Sequence, residues 1–351
     1  MQNNWLILRT FGIAALSGYA FYEIGIFLPW LLGPMFALLL LRQYTKITII
    51  WPKILRQIGL IILGIQIGSS FTKQAVMLMW FDFPLMILLT LSVVGMALLL
   101  SMVFMKMTGE SLATSILGSL PGGLSQMVLL SEEVQSANST VVTLMQTFRI
   151  FAVVTIVPFL TAWVPKGSHF NDLALSEFPS FHIMHFFYFI GLGIAFFMGM
   201  KKIHFPLPEI MAPIISMAIL QFIINHSVIE VPSLLLILSQ LFVGAHLGLQ
   251  LEKVTEHFSF RLFSAILGTN ILLIAFCALM AYVLMIIHPL NSFLDFFISA
   301  APGGIAEMSI TALDTGADLS TVTSFHLFRI FFILLLAGPL VTMALKRWIK
   351  S

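Results

Sequence analysis

Apolar residues run along this chain in long blocks divided by short polar connections, not in the spaced stripes of a water-facing helix. Hydropathy marks twelve blocks. Six lie in the first half, at about 5–25, 28–41, 54–71, 83–105, 111–131 and 140–163. Six lie in the second, at about 183–200, 207–224, 232–250, 262–287, 293–313 and 319–345. Most come near the ~20 residues that a helix needs to cross the hydrocarbon of a bilayer. The most polar connection carries Lys166, Asn171, Asp172 and Glu177 and divides the blocks six and six. The pattern predicts a first membrane repeat over 1–164, a linker over 165–181 and a second membrane repeat over 182–351.

Composition narrows the class. Of 351 residues, 59% are hydrophobic and 9% charged, with a mean hydropathy of +1.04. A soluble domain carries about 25% charged residues, and one of this size could not hide so much apolar surface from water. Disordered chains are apolar-poor. An all-α polytopic membrane protein remains, with the lipid bilayer as its first partner. The net charge of +2 implies no polyanion, and no nucleic-acid partner is expected. Cys277 stands alone in an apolar block, so there is no disulfide framework. The N-terminal block lacks a convincing cleavage site and reads as a first membrane helix.

The two halves repeat. LPWLLGP (28–34) matches LPEIMAP (207–213), and GIQIG (64–68) matches GAHLG (244–248). PGGLSQM (121–127) matches PGGIAEM (302–308), and FRIF recurs at 148–151 and 328–331. The offsets are 179, 180, 181 and 180. Four collinear matches at nearly one offset indicate duplication.

Loop cations orient the repeats. With all twelve blocks spanning and the N-terminus cytoplasmic, Lys and Arg split 10 inside to 5 outside. If both PGG blocks dip in and return on one side, the split becomes 13 to 2, with only Lys73 and Lys166 outside. Each repeat then holds about five transmembrane helices plus a Pro-Gly-Gly broken or re-entrant segment. An odd number of spans inverts the second repeat, a common arrangement in secondary transporters. Both termini are expected on the cytoplasmic side.

The PGG segments, Pro121-Gly122-Gly123 and Pro302-Gly303-Gly304, break helices within apolar blocks. Exposed backbone at membrane depth is tolerated only in protein or at a water-filled cavity. A helix restarting beyond the break would present free N–H groups and a positive dipole end. Ser125 and Gln126 follow the first break and Glu307 the second. The competing reading is a tight turn between packed helices.

Arg149 and Arg329 stand well inside apolar blocks, at equivalent positions. A buried Arg costs about 2.5–3.5 kcal/mol on insertion scales, so each needs partners. They read equally as ligands for an anionic substrate or as locks on a carboxylate or a helix C-terminus. The halves also differ: Gln126, Gln66 and Gln146 align with Glu307, His246 and His326. A Glu with nearby His in low dielectric can exchange a proton near neutral pH, so Glu307, His326 and His246 are candidates for proton coupling; the plainer reading is hydrogen-bonded core groups.

Gly64-x3-Gly68 and Gly244-x3-Gly248 are helix-packing patterns, and such small-residue faces permit a homodimer. His182-x2-His185 has metal-pair spacing but lacks added ligands, so no metal and no cofactor are expected. No phosphate loop, nucleophile elbow or H-E-x-x-H motif is present, and no enzyme is expected.

With SLPGGLSQM, SAAPGGIAEMSITA, the paired FRIF motifs and the duplicated layout, the sequence resembles the AbrB-type membrane duplication family over essentially its whole length. Members are bacterial inner-membrane proteins, labelled ammonia monooxygenases or AbrB family transcriptional regulators. The resemblance implies the cytoplasmic membrane of a bacterium and supplies no binding residues. Neither label fits these residues: the scattered His offer no copper or iron site, and no DNA-reading surface is evident. The expected function is a secondary transporter of a small organic anion or related metabolite, with proton coupling offered by Glu307. Its substrate-binding residues would be Pro121, Gly122, Gly123, Ser125, Gln126 and Arg149, with Pro302, Gly303, Gly304 and Arg329. A sensor that regulates gene expression indirectly is the alternative, and an ammonia monooxygenase-like enzyme a minor one.

Overall fold

The computed structural model describes residues 2–134, 136–161, 183–203, 205, 207–224, 231–250, 259–288 and 291–348. The inter-repeat linker and His182 lie outside the described residues. Helices account for nearly all the described structure, and no strand occurs among the described residues.

Each half yields the same series of helices. The first half gives α1 (Gln2–Glu23), α2 (Pro29–Tyr44), α3 (Lys53–Ser70), α4 (Lys73–Thr108), α5 (Leu112–Ser119), α6 (Leu124–Glu133) and α7 (Ser139–Thr161). The second gives α8 (Ile183–Lys202), α9 (Pro208–Ile224), α10 (Ser233–Gly248), α11 (Phe260–Ile287), α12 (Phe293–Ala300), α13 (Ile305–Thr315) and α14 (Leu319–Phe332). A π-helical stretch, Ile333–Ala337, and α15 (Gly338–Trp348) complete the last block. Lys73–Thr108, Ser139–Thr161, Phe260–Ile287 and Leu319–Leu345 are long and apolar enough to cross a membrane. Pro208–Ile223 and Ser233–Gly248 are shorter apolar helices.

One boundary differs from the sequence expectation. The block expected to begin at 83 is already helical from Lys73. Asp82 and Pro84 lower the hydropathy there. Proline removes one backbone donor but need not end a helix whose neighbours satisfy the freed carbonyl.

The chain forms two compact units, and each draws on both sequence halves. The first unit is Met1–Phe81, Lys166–Lys253 and Ser309–Ser320. The second is Asp82–Pro165, Val254–Met308 and Thr321–Ser351.

In the first unit, α3 packs on α9 and α10 packs on α2, so each half's glycine helix meets the other half's proline helix. A Cβ on Gly64 would stand 2.7 Å from the Ile210 carbonyl oxygen, and one on Gly68 2.7 Å from that of Ile214. Gly244 and Gly248 face the carbonyls of Leu31 and Met35 in the same way. The two small-residue patterns therefore serve close helix packing. Leu28 and Leu207, just before Pro29 and Pro208, both adopt left-handed backbone at φ 48° and 50°. Such strain in a bulky residue is uncommon, and its recurrence at an offset of 179 is structural evidence of the duplication.

In the second unit, each expected PGG block is two short helices with a break between them: α5 and α6, then α12 and α13, whose first turn belongs to this unit. Eight residues of α-helix rise about 12 Å, well short of a ~30 Å hydrocarbon core. The first arm closes on itself. Ser111 caps α5 by accepting from Thr114 N, and its hydroxyl donates to the Ser136 carbonyl beyond α6 at 2.5 Å. Asn138 N donates to Thr114 Oγ1 at 2.9 Å. The chain thus leaves the arm beside the point where it began it. Ser111→Ala removes the cap and the closing bond, and about 1 kcal/mol of stability should be lost. Thermal unfolding in detergent measures this.

Candidate functional site

The breaks arise from local chemistry. Pro121 and Pro302 cannot continue the hydrogen-bond ladder of the preceding helix. Gly122 N donates to Leu120 O at 2.8 Å, and Gly303 N to Ala301 O at 2.9 Å. Helix restarts beyond, with Met127 N donating to Gly123 O and Met308 N to Gly304 O. The second break holds one more residue, SAAPGG against SLPGG, which accounts for the offset rising to 181. Pro121 and Pro302 are buried, Gly122, Gly303 and Gly304 are half-buried, and Gly123 is exposed.

A helix that ends inside protein leaves carbonyls without partners. The two buried arginines fill that role. Arg149 donates through Nη1 to Leu120 O (2.8 Å) and Ser119 O (3.4 Å), and through Nη2 to Gly122 O (3.3 Å) and Gln146 Oε1. Gln146 Nε2 in turn donates to the carbonyls of Leu117, Gly118 and Leu120. Arg329 donates through Nη1 to Ser299 O (3.4 Å), Ala300 O (3.2 Å) and Ala301 O (2.8 Å), and through Nη2 to Gly303 O (2.9 Å). Each guanidinium therefore holds the end of one half-helix and the first glycine of the break. Of the two sequence readings for these arginines, the helix-terminus contact is the one seen here. Nε of each arginine and Oγ of Ser119 and Ser299 are buried without hydrogen-bond partners. Arg149 and Arg329 are also close enough for their charges to repel.

The polar residues beyond the breaks occupy matching places. The Glu307 carboxylate folds back against Gly304, as the Gln126 amide does against Gly123. Both stand at a helix N-terminus, where the dipole favours the negative charge of Glu307. His326 is fully buried, with Nδ1 2.9 Å from the Val322 carbonyl. Ser125 lies in the first turn of α6; its side chain is outside the described residues. The structure thus joins Leu120 and Gly122, on either side of Pro121, to Arg149, and Ala301 and Gly303, on either side of Pro302, to Arg329, with Glu307 folded against Gly304, the next residue of the second break. His246 belongs to the first unit and lines a different cavity.

Sequence reasoning missed the residues that line the space around the two arginines. A cavity of about 20 Å³, roomy enough for one water, is lined by Gly118, Ser119, Arg149, Thr269 and Asn270, among others. A closed counterpart is lined by Leu89, Thr90, Ser299 and Arg329. Carrying the offset of 180 onto the long helices pairs Leu89 with Thr269, Thr90 with Asn270 and Ser119 with Ser299. Each arginine therefore faces the long helix of the other half. That signal was available in the sequence, but no motif marked it.

The architecture defines an all-helical protein with membrane-length helices, built by duplication around two broken, arginine-pinned arms. The family described as "Transition state regulatory protein AbrB" matches residues 30–345, and the chain belongs to it. It is 25% identical to "Uncharacterized protein YhjN" of Bacillus subtilis (strain 168), over 97% of this chain and 92% of that protein. It is 24% identical to "Putative regulator AbrB" of Escherichia coli (strain K12), over 92% of this chain and 90% of that protein.

Proposed function

We propose that this protein is a secondary transporter of a small organic anion in a bacterial cytoplasmic membrane, built from two inverted repeats with both termini inside. The observation that carries this reading is the pair of half-membrane-length arms, each opened by PGG and pinned by a buried guanidinium. Broken helices at repeat interfaces are where secondary transporters bind substrate. The restarted helices offer positive dipole ends, and the two arginines add positive charge that an anion would relieve. The closed first arm supports a segment that returns to its own side, as the 13 to 2 split of loop cations requires. Glu307, folded against Gly304 at the break that Arg329 pins, is the carrier assigned to a coupling proton, with the fully buried His326 in the same unit.

Reconstituted protein should accumulate at least one labelled C2–C6 mono- or dicarboxylate in liposomes, with proton movement followed by an entrapped pH dye. Glu307→Gln should abolish coupled flux while the protein stays folded. Arg329 is better probed by Lys than by Gln, because Gln would release main-chain carbonyls as well as the charge. Absence of flux for the whole panel, or normal coupled flux in Glu307→Gln, would contradict this reading.

The name of the Escherichia coli relative favours a second reading, a membrane regulator acting indirectly on gene expression. It predicts altered transcripts on deletion without flux in liposomes.

A further inference from the structure

A cavity of about 430 Å³ in the first unit is lined by Arg42, Lys46, Trp51, Lys53 and His246, among others. It lies where α2 and α10 end. Thr45 closes α2, its hydroxyl donating to the Leu41 carbonyl at 2.6 Å. Arg42 donates to the carbonyl of Leu249, just past α10. Lys53 and Arg56, from the first turn of α3, both lie close enough to His246 for their charges to act on it.

Two ordinary causes account for part of this charge. Cations stabilise helix C-termini, and cytoplasmic loops carry excess Lys and Arg. Neither requires the cations to converge on one cavity. The duplication supplies an internal control. Offsets of 179 and 180 map Arg42, Lys46, Lys53 and Arg56 onto Gln221, Asn225, Ser233 and Leu236. The same helix layout is built in the second repeat without these cations, so the fold does not demand them.

Most of the polar lining side chains share one chemistry. The polar groups of Arg42, Lys46, Lys53 and Trp51 are donors, and none of the lining residues is a carboxylate. The Trp51 indole nitrogen is buried without a hydrogen-bond partner. Ile47 borders the cavity and is exposed, as is Tyr44 nearby. A volume of this size suits a small-molecule headgroup. Arg with Lys suits phosphate oxygens, and basic pockets between membrane helices on the cytoplasmic side hold anionic headgroups.

We propose that this cavity is a binding site for a phosphate-class anion at the membrane surface, separate from the broken arms and independent of the transport reading. The phosphodiester of an anionic phospholipid and a soluble phosphate share the recognised chemistry, and the test separates them.

Protein purified in a neutral detergent is titrated with inorganic phosphate and followed by thermal unfolding. In parallel, protein in nanodiscs of phosphatidylcholine, with or without about one-fifth phosphatidylglycerol, is released and its retained lipid counted by native mass spectrometry. The wild type should retain phosphatidylglycerol over phosphatidylcholine or be stabilised by phosphate. Lys46→Gln with Lys53→Gln should weaken that binding roughly ten-fold or more. Both lysines are exposed, so folding should survive, and the double Arg replacement should retain binding. Selective phosphatidylglycerol retention assigns the site to a lipid headgroup; stabilisation by phosphate alone assigns it to a soluble phosphate. Binding of neither anion, or binding unchanged by the double Gln substitution, overturns the proposal.

Discussion

Replacing Arg329 by Met should cost most of the folded protein. The substitution removes the donors that hold Ser299, Ala300, Ala301 and Gly303 at the second break. A buried polar group left without its partner costs about 1–3 kcal/mol. Relief of the buried charge offsets part of this, so a net loss of about 3 kcal/mol or more is expected. That is a large share of the ~5–15 kcal/mol that holds a typical protein folded. Arg329→Lys keeps the charge but lacks the planar fork that reaches both sides of the break, so it should fold with a lowered melting temperature. Arg149→Met should behave similarly but less severely, because Gln146 independently holds the Leu117 and Gly118 carbonyls of α5 and that of Leu120 just beyond it. Fluorescence size-exclusion chromatography across a temperature ramp reads all three variants. A monodisperse Arg329→Met protein with an unchanged melting temperature would show that the guanidinium does not hold the break.

The second large effect is expected at Gly248. Valine there would drive its side chain into the Met35 carbonyl. Backbone cannot yield as a flexible side chain can, so α10 and α2 would have to separate. Overpacking of this kind costs about 1–3 kcal/mol, and separation of the helices would add lost packing. Gly68→Val makes the equivalent test at the α3–α9 contact, where Ile214 takes the place of Met35. Gly12→Val is the control, since nothing lies within 4 Å of a Cβ at that position. Detergent-solubilised protein should show sharply lower melting temperatures for the two interface variants and a value near wild type for Gly12→Val.

Much of this organisation was legible in the sequence, because duplication writes each feature twice. The all-helical class followed from composition. The two breaks followed from PGG, and the need of Arg149 and Arg329 for polar partners followed from their burial in apolar blocks. The identity of those partners was not legible. Carbonyls are present at every residue, so no side-chain pattern distinguishes the ones released at Ser119–Gly122 from those engaged in a helix ladder. The division into units was also hidden. Each unit takes α-helices from both halves, and such pairing across about 180 residues depends on tertiary packing. The glycine pairs predicted close approach correctly but could not name their partners, which are the proline helices of the opposite repeat.

The central claim, that the broken arms are half-membrane elements within inverted repeats, is tested most directly by the sidedness of Ser136. Its side chain is exposed, and only its carbonyl accepts the bond from Ser111, so Ser136→Cys should leave the arm closed. Cys277 is buried, with Sγ donating to the Ala300 carbonyl at 3.3 Å, and Ser in its place can make the same bond. In a Cys277→Ser, Ser136→Cys protein, an impermeant thiol reagent should fail to label intact cells and should label opened vesicles. Labelling in intact cells would put Ser136 outside, making the first PGG segment a full span and contradicting the inverted repeat.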